Sequence, residues 1–238
     1  MDIDADYERL TVPCHSCGHT NVLSRANDVG HTRFAIGEEN TCESCGGPIR
    51  VTLETASPDY QLLQSEARGL RAEKRYMLAV AALAQSFEMF FALAIRVMLV
   101  RHVANFGGAD QNEVENLDDM LYKTTQRFTY TKMRNMFINL ALRPRPLSIT
   151  EAAAFVHNAE NLAKEPTDNA IRSAHDTELG EILLRLKRLQ IGSLRNRVVH
   201  KHAYRPRLEE LNESLDPARQ LTDQLWIRLD LTRSLIGD

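Results

Sequence analysis

The 238-residue chain carries a net charge of −3, and it is 43% hydrophobic and 26% charged. This composition is typical of a soluble globular protein, and the length allows one good hydrophobic core plus a small accessory module. The negative net charge excludes a protein that coats nucleic acid with its whole surface, so a polyanion has to bind at local basic patches.

The sequence also argues against secretion and against a membrane span. Residues 1–6 are acidic, whereas a secretory signal begins with basic residues and continues with apolar ones. The apolar stretch 77–100 has the length of a membrane span, but it contains Gln85, Glu88 and Arg96, and central charges are costly in lipid. We therefore expect a cytoplasmic protein without membrane contact, in which this stretch is a buried helix.

The N-terminal region, residues 1–56, contains a predicted metal site. All four cysteines of the chain lie there as two Cys-x-x-Cys pairs, Cys14, Cys17, Cys42 and Cys45. Two such pairs suit tetrahedral Zn²⁺, because each forms a tight turn and the four thiolates converge on the ion. Gly18 and Gly46 follow the second cysteine of each pair, and glycine can adopt the positive φ that such a turn requires.

This region resembles a zinc ribbon, with short β-like runs at 10–12, 21–23, 32–36 and 49–53. Four thiolates close the coordination sphere and leave no position for a reactive water, so the Zn²⁺ is predicted to be structural. The alternative is two disulfides, which a reducing cytoplasm disfavours. Whether the ribbon contacts nucleic acid or protein is left open by its sequence.

The remainder, residues 57–238, is predicted to be an all-helical domain. Ser57 and Pro58 form a helix start, and the helix that they open is expected to break near Gly69. The next helix is central, because apolar residues recur in steps of three and four at Met77, Val80, Ala84, Phe87, Phe91, Ala94 and Met98. Gln85, Glu88 and Arg96 form its polar stripe, which is either a solvated seam or the wall of a cleft to which Glu88 contributes.

More helices follow the central one. Gly107 and Gly108 are predicted to stop it, and Ser148 and Glu151 have the spacing of a capping box. Later helical segments are predicted to end near 127 and 141, to run from 148 to about 164 and from 177 into a basic stretch, and to begin at 208 and 217, with a loop over 165–176. The predicted fold class is therefore mainly α, with a small β zinc ribbon before a helical bundle.

The basic stretch lies near the C-terminal end of the chain. Every charged residue from 185 to 207 is positive, namely Arg185, Lys187, Arg188, Arg195, Arg197, Lys201, Arg205 and Arg207. Such a surface binds anions, and Arg188, Lys201, Arg205 and Arg207 are predicted to contact RNA. Within it, residues 194–202 (LRNRVVHKH) combine arginines with histidines that can transfer protons near neutral pH.

An arginine and a histidine are the groups that RNA cleavage without a metal needs. Arginine can offset charge on a pentacoordinate phosphorus, and histidine can take a proton from a ribose hydroxyl or give one to a leaving oxygen. Asn196 and His200 lie on one helical face, as do Arg197 and Lys201, whereas Arg195 reaches that region only through its long side chain. A second imidazole is needed, from His202 or from another protomer.

Arg195, Asn196 and His200, at the end of an apolar helix, resemble the signature of the HEPN ribonucleases, in which arginine is followed by four to six residues and then histidine. The resemblance covers residues 70–235 loosely, through helix content and the early helix that carries Glu88, and 194–202 specifically. It implies a homodimer with a composite cleft that cleaves RNA without metal, as a toxin or antiviral effector with an antitoxin or regulatory partner. Arg195, Asn196 and His200 would then be catalytic.

Several alternatives remain at this point. Arg197 and His202 have the same spacing as Arg195 and His200 and could be the working pair instead. If they are not, these two residues and Glu88 could still support catalysis. The helical domain could also be a non-catalytic module that binds RNA or protein, with the ribbon as an adaptor. The ribbon alone would suit a DNA-binding adaptor, and the basic residues could simply stabilise a helix C-terminus.

Overall fold

The computed structural model describes residues 9–14, 16–24, 39–50, 59–106, 109–143, 147–174, 176–201, 204–229 and 231. Most of this part is helical, which confirms the mainly α prediction in its coarse form. The predicted domain boundary and the helix start at Ser57 and Pro58 lie outside the described residues.

Two short antiparallel hairpins carry the cysteines. The first pairs β1 (Arg9–Pro13) with β2 (Thr20–Ser24), and the second pairs β3 (Glu39–Thr41) with β4 (Pro48–Arg50). One Cys-x-x-Cys pair lies in the loop of each hairpin. Strands β1 and β2 cover the first two β-like runs of the sequence, β4 overlaps the last, and the run at 32–36 lies outside the described residues.

The helical part begins with two helices in close contact, α1 (Asp59–Ala72) and α2 (Tyr76–Arg96). The predicted break near Gly69 is wrong, because α1 continues through it and ends at Ala72. The turn is instead formed around Lys74, which has a φ of 61°. The N–H of Arg75 donates to the carbonyl of Leu70 at 2.8 Å, so the turn supplies a partner for a carbonyl at the end of α1.

Helix α2 is the centre of the domain and packs against α1, α5, α10 and α11. It is extended by a π-helical turn (Val97–Arg101) and by α3 (His102–Phe106). The predicted seam is buried from Val80 to Met98, but Met77 is exposed. Residues 76–104 are long and apolar enough to cross a membrane, yet 61% of the most apolar window is buried inside the protein, as in the core helix of a soluble protein.

The remaining helices of the described part follow α3 in the chain. They are α4 (Gln111–Thr125), α5 (Tyr130–Ala141), α6 (Ile149–His157), α7 (Ala159–Leu162), α8 (Asp168–Arg172), α9 (Thr177–Arg188), α10 (Ile191–His200), α11 (Leu208–Leu215) and α12 (Ala218–Arg228). The capping box of Ser148 and Glu151 is confirmed at the start of α6. The predicted loop 165–176 is wrong in part, because it contains α8, which Thr167 caps by accepting from the N–H of Ala170.

The predicted continuous helix from 177 into the basic stretch is also wrong. Leu189 has a φ of −59° and a ψ of 128°, so the chain leaves the helical conformation between α9 and α10. Arg134 donates to the carbonyl of Lys187 at 3.2 Å and thereby supplies a partner for the end of α9. As a result α10 is a separate helix of ten residues.

An aromatic cluster joins α2 to α5. Phe91 lies 5.4 Å from Phe137 and 5.7 Å from Tyr130 between ring centroids, and Phe90 lies 5.6 Å from Phe137. Phe90, Phe91 and Phe137 are fully buried. Burying one such side chain contributes roughly 1.5–3 kcal/mol, so this cluster fixes the start of α5 relative to α2.

Candidate functional site

The C-terminal end of α10 and the N-terminal end of α5 enclose a basic cleft of about 490 Å³. Its lining residues are Thr129, Tyr130, Thr131, Arg195, Asn196, Arg197, His200 and Lys201. None of these residues is acidic, and four carry cationic or protonatable side chains. The three residues that the HEPN resemblance names as catalytic therefore line one cleft.

Helix α10 holds these side chains in place through a buried opposite face. Ile191 and Leu194 are fully buried, and α10 contacts α2 and α11. Arg195 is partly buried, while Asn196 and His200 are exposed one helical turn apart. The helix ends at His200, because Lys201 has an extended ψ of 109°.

Gly192 allows α10 to lie directly against the ring of Tyr130. A Cβ at position 192 would lie 2.7 Å from Cδ1 and 2.9 Å from Cε1 of Tyr130, closer than non-bonded carbons approach in proteins. Tyr130 is 3% exposed and rests on Phe91. The width of the basic cleft is therefore set by a contact that only glycine permits.

The two arginines of the cleft differ in their partners. Arg197 donates to the Glu210 carboxylate at 2.8 Å, and its guanidinium carbon lies 4.8 Å from the centroid of the Tyr204 ring. Arg195, by contrast, makes no hydrogen bond or ion pair with any other residue that the structure describes. Arg195 is therefore available to an external anion, whereas Arg197 ties α10 to α11.

Glu210 is strongly stabilised as a carboxylate. The N–H of Arg207 donates to it at 2.9 Å, the Tyr204 hydroxyl donates at 2.8 Å, and Arg197 adds the ion pair. These three contacts, in that order of size, lower the pKa of Glu210 to about 2. Of the two possible registers, this arrangement favours Arg195 with His200 for binding an anion; His202 lies outside the described residues.

The start of α5 adds a second source of positive potential. Thr129 caps this twelve-residue helix, and its carbonyl accepts the first intrahelical hydrogen bond, from the N–H of Met133, at 2.9 Å. The N–H groups of Tyr130 and Thr131 precede that bond, so they have no partner within the helix. Unpaired N–H groups and the helix dipole favour an anion at this point.

Sequence reasoning missed the contribution of α5. Thr129, Tyr130 and Thr131 are distant from α10 in the sequence, and nothing in residues 194–202 indicates which element lies opposite. The available signal was Thr129 itself, since threonine ahead of an apolar helical pattern predicts an N-cap. An N-cap facing a basic helix is an anion site only when the fold brings the two together.

Other predicted site residues lie outside the lining of the basic cleft. Glu88 is partly buried on α2. Burial of the Tyr130 hydroxyl is the main cause of the raised pKa of Tyr130; Arg134 lowers that pKa, and Glu88 raises it by a smaller amount. Arg205 and Arg207 are exposed in the segment that leads to α11. Arg188 lines a different, smaller cleft. On the polar stripe of α2, Arg96 forms an ion pair with Asp118.

The four cysteines form a compact cluster in the described part of the N-terminal region. All four sulfurs lie within 4.8 Å of one another, with Sγ atoms 3.6 Å apart for Cys14 and Cys45 and 3.7 Å apart for Cys17 and Cys42. Four sulfurs at about 2.3 Å from a Zn²⁺ ion form a tetrahedron with edges of about 3.8 Å. The cluster is therefore compatible with a zinc site.

The backbone around the cysteines has the same geometry in both hairpins. Gly18 and Gly46 have φ values of 72° and 67°, as predicted. Their N–H groups donate to the carbonyls of Cys14 and Cys42 at 2.8 and 2.9 Å. The N–H of Cys45 is the largest of the contacts that lower the pKa of Cys42 to about 6, which favours the thiolate that binds metal.

No known protein family, curated protein or solved structure matches this chain. The resemblance to HEPN ribonucleases therefore depends on Arg195, Asn196, His200 and their helical context. The functional assignment follows from the chemistry of the basic cleft and of the cysteine cluster.

Proposed function

We propose that the chain is a metal-independent endoribonuclease that binds an RNA phosphodiester in the basic cleft and cleaves it by attack of the neighbouring 2′-hydroxyl. The observation that carries this proposal is that Arg195, Asn196 and His200 line one cleft without a carboxylate. Arg195 has no acidic partner among the described residues, so its full charge is available to a phosphate.

The proposed reaction uses groups on the two walls of the cleft. Arg195 and the first N–H groups of α5 bind the non-bridging oxygens and offset the charge that develops on phosphorus. An imidazole at His200 takes the proton from the 2′-hydroxyl as the 2′-oxygen bonds to phosphorus. The bond from phosphorus to the 5′-oxygen breaks, and the leaving oxygen receives a proton, which gives a 2′,3′-cyclic phosphate and a 5′-hydroxyl. Asn196, one turn before His200, orients that imidazole or the phosphate.

The leaving oxygen needs an acid, and one imidazole serves poorly as both base and acid in a single turnover. The proposal assigns that proton to His202 or to His200 of a second copy in a homodimer. Arg197 would support the site indirectly, because its contact with Glu210 holds the end of α10 against α11. Glu88 lies outside the lining of the cleft and has no direct part in this mechanism.

The proposed reaction does not use a divalent metal in the cleft. Mg²⁺ prefers carboxylate and water ligands, and the lining of the basic cleft contains no carboxylate. In this proposal the four cysteines hold a structural Zn²⁺ in a zinc ribbon, which positions RNA or a regulatory partner. The HEPN resemblance supports a cytoplasmic toxin or antiviral defence effector, controlled by an antitoxin or a trigger.

A second candidate function is RNA binding without cleavage. The lining of the basic cleft contains a single imidazole, at His200, whereas acid and base together require two protonatable groups. A helical module with this cleft would still bind phosphates through Arg195 and Lys201. Replacement of His200 distinguishes the two functions, because it should reduce cleavage by a nuclease but leave the RNA affinity of a binding module unchanged.

The test is RNA cleavage by purified chain in a chelator, with the fold monitored by circular dichroism. We expect wild type to release products with cyclic phosphate ends. Arg195→Ala and His200→Ala should each lose at least about 100-fold in rate, the usual contribution of one catalytic group. His157→Ala and Arg101→Ala are matched controls, because both side chains are exposed and neither lines the cleft.

Three results would contradict the proposal. One is cleavage by His200→Ala at the wild-type rate, and another is activity that requires added Mg²⁺ while the protein stays folded. The third is RNA binding by wild type without cleavage, with affinity unchanged in His200→Ala and weakened in Arg195→Ala. That third result would establish the binding module instead.

A further inference from the structure

A second cleft, of about 250 Å³, lies at the end of α10 opposite to the basic cleft. Leu189 and Leu221 are buried in its lining, and Pro217 is partly buried beside them. Exposed polar side chains complete the lining, namely Arg185, Arg188, Gln190 and Glu213. A buried apolar surface surrounded by hydrogen-bonding groups is the usual form of a site for a small planar ligand.

The arginines of this second cleft have no close carboxylate partner among the described residues. Arg185 donates to the amide oxygens of Gln220 and Gln224 at 3.3 Å each, and these neutral groups orient the guanidinium without neutralising it. Arg188 is 64% exposed, and its nearest carboxylate oxygen, on Asp168, is 3.9 Å away. Such a long and exposed pair contributes little, so both arginines are available to an anion.

Helix α10 connects the two clefts, because its N-cap Gln190 lines the second cleft and residues 195–201 at its C-terminal end line the basic cleft. Arg197 of the basic cleft contacts Glu210, and Glu213 of the second cleft lies one turn further along α11. Gln190 of the second cleft and His200 of the basic cleft are ten residues apart, which is about 15 Å along the helix axis. A stacked strand advances about 3.4 Å per nucleotide, so this distance corresponds to about four nucleotides, or fewer in an extended strand.

We infer that the second cleft is a nucleotide subsite of the same RNA-binding surface and that the substrate is single-stranded RNA spanning both ends of α10. This inference rests on the proposed function of the basic cleft. Arg185 and Arg188 contact the phosphate, and the apolar residues contact the base. Glu213 accepts hydrogen bonds only, so the subsite prefers a base with an exocyclic amino group, such as cytosine, over uracil.

The experiment measures fluorescence anisotropy with labelled 2′-O-methyl oligocytidylates of two to eight nucleotides, which cannot be cleaved by 2′-hydroxyl attack. For wild type we expect affinity to rise about tenfold between three and six nucleotides, when the strand reaches the second cleft. Arg188→Ala should lose this rise and keep the affinity for the trinucleotide. Arg195→Ala should weaken binding at every length, and Arg101→Ala, a charge-matched control outside both clefts, should retain the rise.

Base preference is tested with oligouridylates of the same lengths. Wild type should prefer cytidylate about fivefold at six nucleotides and show no preference at three. Glu213→Ala should lose this preference and bind both hexanucleotides at least as tightly as wild type, because a negative charge beside the phosphate is removed.

The subsite is refuted if affinity does not rise with length, if Arg188→Ala keeps the rise, or if wild type binds none of the oligonucleotides. If the rise occurs and depends on Arg188 while wild type cleaves no RNA, the subsite is supported and only the nuclease proposal is refuted. Cleavage by wild type, with Arg188→Ala binding like wild type at all lengths, refutes the subsite and leaves the nuclease proposal intact.

Discussion

Substitution of Gly192 by alanine tests the contact that sets the width of the basic cleft. The new methyl group would lie 2.7 Å from Cδ1 of Tyr130, whereas ordinary carbon contacts begin at 3.4 Å. Ring and helix would therefore have to separate by about 0.7 Å. Tyr130 has little room to move, because it is 3% exposed and packed on Phe91.

The expected loss of stability is the difference between two effects. Overpacking of a tight core costs about 1–3 kcal/mol, and alanine in place of glycine in a helix returns at most about 1 kcal/mol. We expect Gly192→Ala to lower the unfolding free energy by about 1–2 kcal/mol. For a chain of this size that corresponds to a decrease in Tm of about 3–6 °C.

The assay is thermal unfolding followed by circular dichroism, with Gly69→Ala as the matched control. Gly69 is also helical, but a Cβ there would meet no atom within 4 Å, so the same substitution should stabilise the protein by up to about 1 kcal/mol. Gly192→Ala should also weaken oligonucleotide binding, because Arg195 lies one turn further along α10. A Tm that rises in both variants would show that α10 and Tyr130 are not in this contact.

Three further predictions concern single groups. Tyr130→Phe should raise the unfolding free energy by about 1 kcal/mol, because it removes a buried hydroxyl that has no hydrogen-bond partner in the described structure. Denaturant titration measures this change, and a decrease of that size would show that the hydroxyl has a partner. Glu210→Gln should cost about 1 kcal/mol at neutral pH. Since the folded-state pKa of Glu210 is lowered from 4.5 to about 2, this cost is present above pH 4.5 and should fade as the pH falls towards 2, whereas a constant cost down to pH 2 would contradict the pKa. The cysteine cluster should bind one Zn²⁺ per chain in metal analysis and give a tetrahedral thiolate spectrum with Co²⁺. Cys42→Ser should lose both the bound Zn²⁺ and the Co²⁺ spectrum, and wild type without bound metal would refute the zinc site.

Periodicity predicted the helices that have a clear apolar side and a marked end. The central helix and the capping box of Ser148 and Glu151 are of this kind, since their signals are local. The wrong predictions lie where tertiary contacts determine the end of a helix. The chain leaves the helix at Leu189, where Arg134 on α5 supplies a partner to the end of α9, and no residue near 189 encodes that contact.

The basic cleft was predictable on one wall only. Arg195, Asn196 and His200 follow from their spacing on a helix, and they do line one cleft. The opposite wall, Tyr130 and Thr131, comes from a distant segment that the aromatic cluster fixes in place. The difference between Arg195 and Arg197 was also not predictable, because it depends on Glu210, which lies on the following helix.

The contact between Gly192 and Tyr130 has a consequence for the way in which this chain can diverge. Position 192 accepts a side chain only if position 130 becomes smaller at the same time, because the two share one volume. A larger residue at position 192 should therefore arise together with a smaller one at position 130 in descendants that keep the cleft, and a larger residue at 192 alone should mark a lineage in which the cleft has been lost.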